Sequence, residues 1–177
     1  MSAGSPAAAE KRNDMDQKIL VVYYSLEGNT EFVAKEIGRC TGADLLRLVP
    51  EKEIPVSGFG KYFFGGKAAL THSLTHLNPF DEKPEEYGTI VLAGPVWAGT
   101  YPPAIGTFLD EHRFSGKNIY LVATSKSGNA GKFFRELEAI LAGNQIRSVL
   151  SVANPLKNQE QAREETRAFA ESITDRV

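Results

Sequence analysis

A single cysteine, Cys40, stands in 177 residues. It excludes an internal disulfide and any metal site built from cysteines alone. Cys40 falls seven residues after Val33 on the apolar face of an amphipathic run, so it reads as a core residue rather than a reactive thiol. Charge of one sign is also scarce: the formal net charge is −2, too little to favour nucleic acid or an anionic membrane as a partner. No apolar run approaches membrane-spanning length. Residues 1–16 hold Ala, Ser, Gly, Pro and charges but lack the apolar stretch of a signal peptide. They read as a disordered or expression-derived tail on a cytoplasmic protein. The remainder, 17–177, is one domain of ordinary size with an insertion at about 50–84.

What is present alternates between two patterns. Ile19–Tyr23, Thr89–Ala93 and Asn118–Ala123 are short, continuous, β-branched apolar runs, which read as buried strands. Ala43–Val49 alternates weakly and reads as a further strand, and the more polar Ile146–Val152 as an edge strand. Helical spacing joins Val33, Ile37 and Cys40; Ile105, Phe108 and Leu109; Phe133, Phe134, Leu137, Ile140 and Leu141; and Ala162, Thr166, Phe169 and Ile173. Alternating strands and helices, with fully apolar strands, imply an α/β fold whose parallel sheet is covered on both faces. The segment between the second and third strands departs from the pattern. A helix is expected over about Gly65 to His76, preceded by an aromatic stretch, Tyr62, Phe63 and Phe64, that serves equally well as packing or as a lid.

Ligands of open α/β sheets bind beyond the carboxyl ends of the strands. Three loops leave those ends and are rich in small and polar residues: Ser25 to Thr30, Gly94 to Tyr101, and Thr124 to Gly131. The first suits a phosphate. Helix N-terminal N–H groups and the helix dipole favour an anion there; Ser25, Asn29 and Thr30 add side-chain donors, and Gly28 permits a tight turn. Simple helix capping would use the same residues. No lysine follows the glycine and no G-x-G-x-x-G is present, which excludes a nucleotide-hydrolase loop and a dinucleotide fingerprint. No G-x-S-x-G elbow marks a hydrolase. His72 and His76 have i, i+4 spacing but no acidic or cysteine partner nearby, so they read as surface residues rather than metal ligands.

The run Ser25-Leu26-Glu27-Gly28-Asn29-Thr30 after a strand resembles the phosphate loop of flavodoxin-like proteins. Gly94-Pro95-Val96-Trp97-Ala98-Gly99-Thr100-Tyr101-Pro102-Pro103 resembles the loop that packs along the isoalloxazine ring in the same superfamily. The resemblance spans Lys18 to Ile173. It implies a doubly wound three-layer sandwich with a five-stranded parallel sheet of order 2-1-3-4-5. It also implies non-covalent FMN, held by those two loops and edged by Ser125, Lys126, Ser127 and Gly128, with the flavin carrying the chemistry and no catalytic side chain. Glu27 departs from the Ser or Thr usual at its position, and a carboxylate beside a dianion is tolerable where it faces solvent. The third loop lacks the aromatic residue that many flavodoxins place over the flavin, which leaves Trp97 as the expected ring contact. The implied roles are an electron carrier docking to a redox partner protein, or a reductase of quinones or other small acceptors using NAD(P)H, with a non-catalytic flavin-binding module as a third. Carriers of the family are usually strongly acidic, and a net charge of −2 gives little electrostatic steering.

Overall fold

The computed structural model describes Met15, residues 17–52 and residues 75–175. Five parallel strands form one sheet in the order β2-β1-β3-β4-β5. They are β1 (Ile19–Tyr23), β2 (Asp44–Arg47), β3 (Thr89–Pro95), β4 (Asn118–Ser125) and β5 (Gln145–Ala153). Among the described residues the helices are α1 (Asn29–Thr41), α2 (Pro103–Glu111), α3 (Gly131–Ile140) and α4 (Gln159–Thr174), with a 3-10 turn at Pro84–Glu86. This is the expected flavodoxin-like order. The three continuous apolar runs become the central strands, buried on both faces, while β2 and β5 alternate in exposure at the two edges.

Each face of the sheet carries its own core. One face packs Leu20, Val22, Leu92 and Leu121 against Ile105 and Phe108 of α2 and Phe133 and Leu137 of α3. The other packs Val21, Val91 and Val122 against Val33 and Ile37 of α1 and Phe169 and Ile173 of α4. Side-chain alternation along each strand feeds both layers.

Two apolar positions are corrected. Cys40 is exposed. The inward stripe of α1 runs through Thr30, Ala34, Ile37 and half-buried Thr41, so it passes one residue beyond Cys40. Ile140 is 44% exposed, because the stripe of α3 continues from Leu137 to buried Leu141. On the long connection from β2 to β3, Pro50 and Leu77 form an antiparallel bridge, with Glu51 N–H donating to His76 O and Asn78 N–H to Val49 O. Tyr62, Phe63, Phe64, His72 and most of the helix expected over Gly65–His76 lie outside the described residues. His76 is exposed and belongs to no helix.

α1 and α4 are tied by one carboxylate. Glu36 is 5% exposed and accepts from Arg39 Nη2 at 2.7 Å and Arg167 Nε at 3.1 Å, with Arg163 Nη1 at 3.7 Å. The hydrogen bond from Arg39 holds its carboxyl below the usual carboxylate value, against the opposing effect of burial.

Candidate functional site: three loops at the carboxyl edge of the sheet

The pairing of β1 with both β2 and β3 places the loop after β1 in the middle of the sheet's carboxyl edge. Gly28 caps α1 at φ 85°, in the left-handed region that favours glycine, and α1 has no side-chain cap. A cap would satisfy some of the first N–H groups of a helix; without one they stay open to the loop. Ser25 is buried, and its Oγ has no hydrogen-bond partner among the described residues. A buried hydroxyl left unpaired costs about 1–3 kcal/mol, so an external group that bonds it would recover that cost. Leu26 is half-buried against the core, and Glu27 is exposed. Asn29 Oδ1 accepts from the backbone of Leu156 at 3.4 Å. The Thr30 hydroxyl is turned inward, 2.7 Å from Thr124 Oγ1, so it bridges this loop to the end of β4.

The loop after β3 is a tight hairpin. Trp97 and Thr100 exchange both backbone hydrogen bonds at 2.9 Å. Ala98 and Gly99 between them have φ 49° and 85°, as in a type I′ turn. Ala98 in that region is strained by about 1–2 kcal/mol, and a glycine would relieve it. Pro95 ends β3, Val96 N–H donates to Thr124 O, and Ala98 and Gly99 are exposed at the tip. Trp97 is half-buried, its ring edge-on to Tyr24 with centroids 5.4 Å apart. Thr100 Oγ1 donates to the carboxylate of Glu136 on α3, and Lys132 Nζ lies 3.6 Å from the other oxygen of that carboxylate. Tyr101 is buried; desolvation, reinforced by Glu136, pushes its hydroxyl pKa up and keeps it protonated.

The loop after β4 is bonded largely to itself. Ser125 Oγ accepts from Gly128 N–H at 2.8 Å, and Ser127 Oγ from Asn129 N–H at 3.3 Å. Ser151 Oγ of β5 donates to Gly128 O, and Asn154 Nδ2, just past the strand, to Lys126 O. Val96 and Gly99 from the second loop face Ser125, Lys126, Ser127, Asn129, Gly131 and Lys132 across a cleft of about 390 Å³. That volume lies within the range of about 300–1,000 Å³ usual for small-molecule sites.

The structure thus gathers Val96, Gly99, Ser125, Lys126 and Ser127 around one cleft. Ser25–Thr30 lie beside it, joined to it through Thr30 and Thr124. Two neighbours escape the sequence reading. Lys132 lines the cleft from the first turn of α3, and its i, i+4 spacing to Glu136 is visible in the sequence. Arg47 closes β2 beside Tyr23 and reaches the first loop, a contact that depends on strand pairing. Among the described residues no His, Cys, Asp or Glu cluster could hold a metal ion, and no helix is long and apolar enough to cross a membrane.

The family model described as Flavodoxin matches residues 68–173. No curated protein sequence matches the chain. Among solved structures, a Bacteroides uniformis protein described as a flavoprotein superposes with a TM-score of 0.70 at 22% identity, covering 87% of this chain and 97% of that one. A flavoprotein from Lactobacillus acidophilus, solved in complex with FMN, gives 0.66 at 18% identity over 81% of this chain and 97% of its own. Oxidised flavodoxin 2 from Bacillus cereus gives 0.58 at 18% over 90% and 99%. At such identities these likenesses speak for the fold, and the sequence match covers more than half of the chain: it belongs to the flavodoxin family.

Proposed function

We propose that the chain binds FMN non-covalently at the carboxyl ends of β1, β3 and β4 and serves as an electron-transfer protein. The observation that carries this reading is the partnerless, buried Ser25 Oγ at the start of an uncapped helix. A phosphate there would receive the Ser25 hydroxyl and the N–H groups of the first turn of α1, with the helix dipole favouring its charge. Bound flavin supplies the one- and two-electron chemistry. The chain's own residues position and shield it. The backbone of the Trp97–Thr100 turn and the Trp97 side chain would hold the ring, with Ser125, Lys126 and Ser127 lining the cleft opposite Val96 and Gly99. Fixed in shape by their own hydrogen bonds, these loops need little rearrangement on binding.

A second reading, an NAD(P)H-dependent FMN reductase of quinones or other small acceptors, draws on the weak net charge of −2 and on Lys126 and Lys132 at the rim of the cleft. Titration with FMN and with riboflavin tests the site: riboflavin is expected to bind at least about a hundredfold more weakly, for loss of two or more charge-assisted bonds of about 1.5–3 kcal/mol each. Equal affinities would overturn the phosphate assignment. Anaerobic addition of NADPH or NADH to the loaded protein then separates the roles. Bleaching without another protein favours the reductase; an inert response, with stepwise one-electron reduction by an artificial donor, favours the carrier.

A further inference from the structure

Arg47 is the residue at this edge that neither the loop motifs nor the cleft accounts for. It ends β2, and its Cα pairs with Tyr23 of β1. Its guanidinium spans two targets: Nη2 donates to the Ser25 carbonyl at 3.3 Å and Nη1 to Glu31 Oε2 at 3.3 Å. The other oxygen of Glu31 takes Lys35 Nζ at 2.6 Å. The side chain is 46% exposed. An ion pair of that kind on a surface contributes only about 0–1 kcal/mol to stability, so folding alone gives little reason for a guanidinium at this place.

We infer that Arg47 is a positioning residue that makes the first loop selective for a phosphate-bearing flavin. The inference rests on the FMN reading above and deepens it. Its first support is geometric. In a planar trans peptide the carbonyl and the following N–H point in opposite directions. With the Ser25 carbonyl held toward Arg47, the Leu26 N–H is aimed to the side away from Arg47. The same peptide fixes the backbone from which the unpaired Ser25 Oγ extends.

The second support is charge. Glu27 and Glu31 place two carboxylates in or next to a loop that would receive a dianion. Glu31 lies in the first turn of α1, where an acid already takes up the helix dipole. Lys35 and Arg47 together cover Glu31, and the trio carries a net charge of +1. The hydrogen bond from Lys35 holds the Glu31 carboxyl below its usual range, so it stays ionised and paired. Glu27 is exposed at the loop's surface. Arg47 therefore turns a locally acidic helix start into one that accepts an anion.

The test uses the whole chain and three proteins: wild type, Arg47→Met and Arg47→Lys. FMN and riboflavin are titrated by flavin fluorescence at low and high salt, and melting temperatures of the apoproteins are recorded. Arg47→Met is expected to lose about tenfold in FMN affinity, the equivalent of about one charge-assisted bond. Its riboflavin affinity is expected to stay unchanged and the salt dependence of its FMN binding to shrink. Arg47→Lys, which keeps the charge without the fork, is expected to recover part of the loss. Unchanged FMN affinity in Arg47→Met overturns the inference. So does an equal loss for both flavins in Arg47→Met and Arg47→Lys, which would assign Arg47 to the frame of the fold. If wild type itself binds FMN and riboflavin alike, the phosphate reading fails, and that is seen before any variant is compared.

Discussion

In the loop after β4, Ser125, Ser127 and Asn129 each accept a hydrogen bond from the loop's own backbone, and Ser151 of β5 and Asn154 just past it bond the carbonyls of Gly128 and Lys126. In the loop after β1 one serine behaves otherwise. Asn29 and Thr30 are paired with Leu156 and Thr124, but Ser25 Oγ is buried and unpaired; the helices after both loops lack a side-chain cap. One loop uses its polar atoms to fix its own shape, as an unpaired buried group would otherwise cost stability. The other leaves one buried hydroxyl open just before a helix start, where an anion is the natural complement.

Replacing the serines separates the two. Ser25→Ala is expected to cost about tenfold or more in FMN affinity, for loss of a bond worth about 1.5–3 kcal/mol to a charged group. It should leave riboflavin binding unchanged and leave the apoprotein melting temperature equal or higher, since the hydroxyl has no internal partner and its burial is unfavourable. Parallel titrations and thermal melts check this, and a fall in melting temperature would blur the contrast between the loops.

Glu36→Gln probes the middle of the helix that follows the first loop. It should lower stability by about 1.5–3 kcal/mol through loss of charged hydrogen bonds to Arg39 and Arg167. Because the folded carboxyl titrates below its reference value of 4.5, the wild-type contribution is present above about pH 4.5 and is lost as pH falls through the depressed folded value. Glu31 and Glu85, shifted the same way, add to that acid loss. Denaturant melts between pH 3 and 6 should show a flatter dependence in the variant, with FMN selectivity over riboflavin intact at neutral pH.

Ser125→Ala should cost about 1 kcal/mol of stability through the orphaned Gly128 N–H. It should reduce FMN and riboflavin affinity by equal, small factors, as expected of a wall. Trp97→Ala comes last. Aromatic contact adds about 0.5–1.5 kcal/mol beyond area burial, so both flavins should bind modestly less well and bound-flavin fluorescence should rise. A half-buried ring against Tyr24 predicts a small drop in melting temperature; a large drop with unchanged fluorescence would place the ring in the core instead.

The sheet was legible because Ile19–Tyr23, Thr89–Ala93 and Asn118–Ala123 are apolar without interruption, and only strands covered on both faces need that. The strand order came from the resemblance of two loops, not from spacing. Helix ends were less legible. Val33 and Cys40 share a face on a helical wheel, but the packed stripe drifts to Thr41, so burial at the last turn follows the sheet's outline rather than the wheel. The candidate site was read where a loop carries its own pattern. Arg47 escaped because its meeting with Ser25, 22 positions away, exists only once β2 has paired with β1. Glu136 escaped because a lone glutamate on an amphipathic helix looks like any solvated position until Thr100 is brought to it.

The contact between Glu36 and Arg167 joins positions 131 residues apart. A chain leaving the ribosome makes α1 before α4, so α1 waits, with one flank uncovered, until α4 has been synthesised. Loop-closure entropy over that separation must be met before the clamp contributes. If the first loop takes FMN as proposed, this order places cofactor loading after α4 has docked on α1. A slow refolding limb that FMN leaves unchanged, with flavin capture following it, is the kinetic signature of that order.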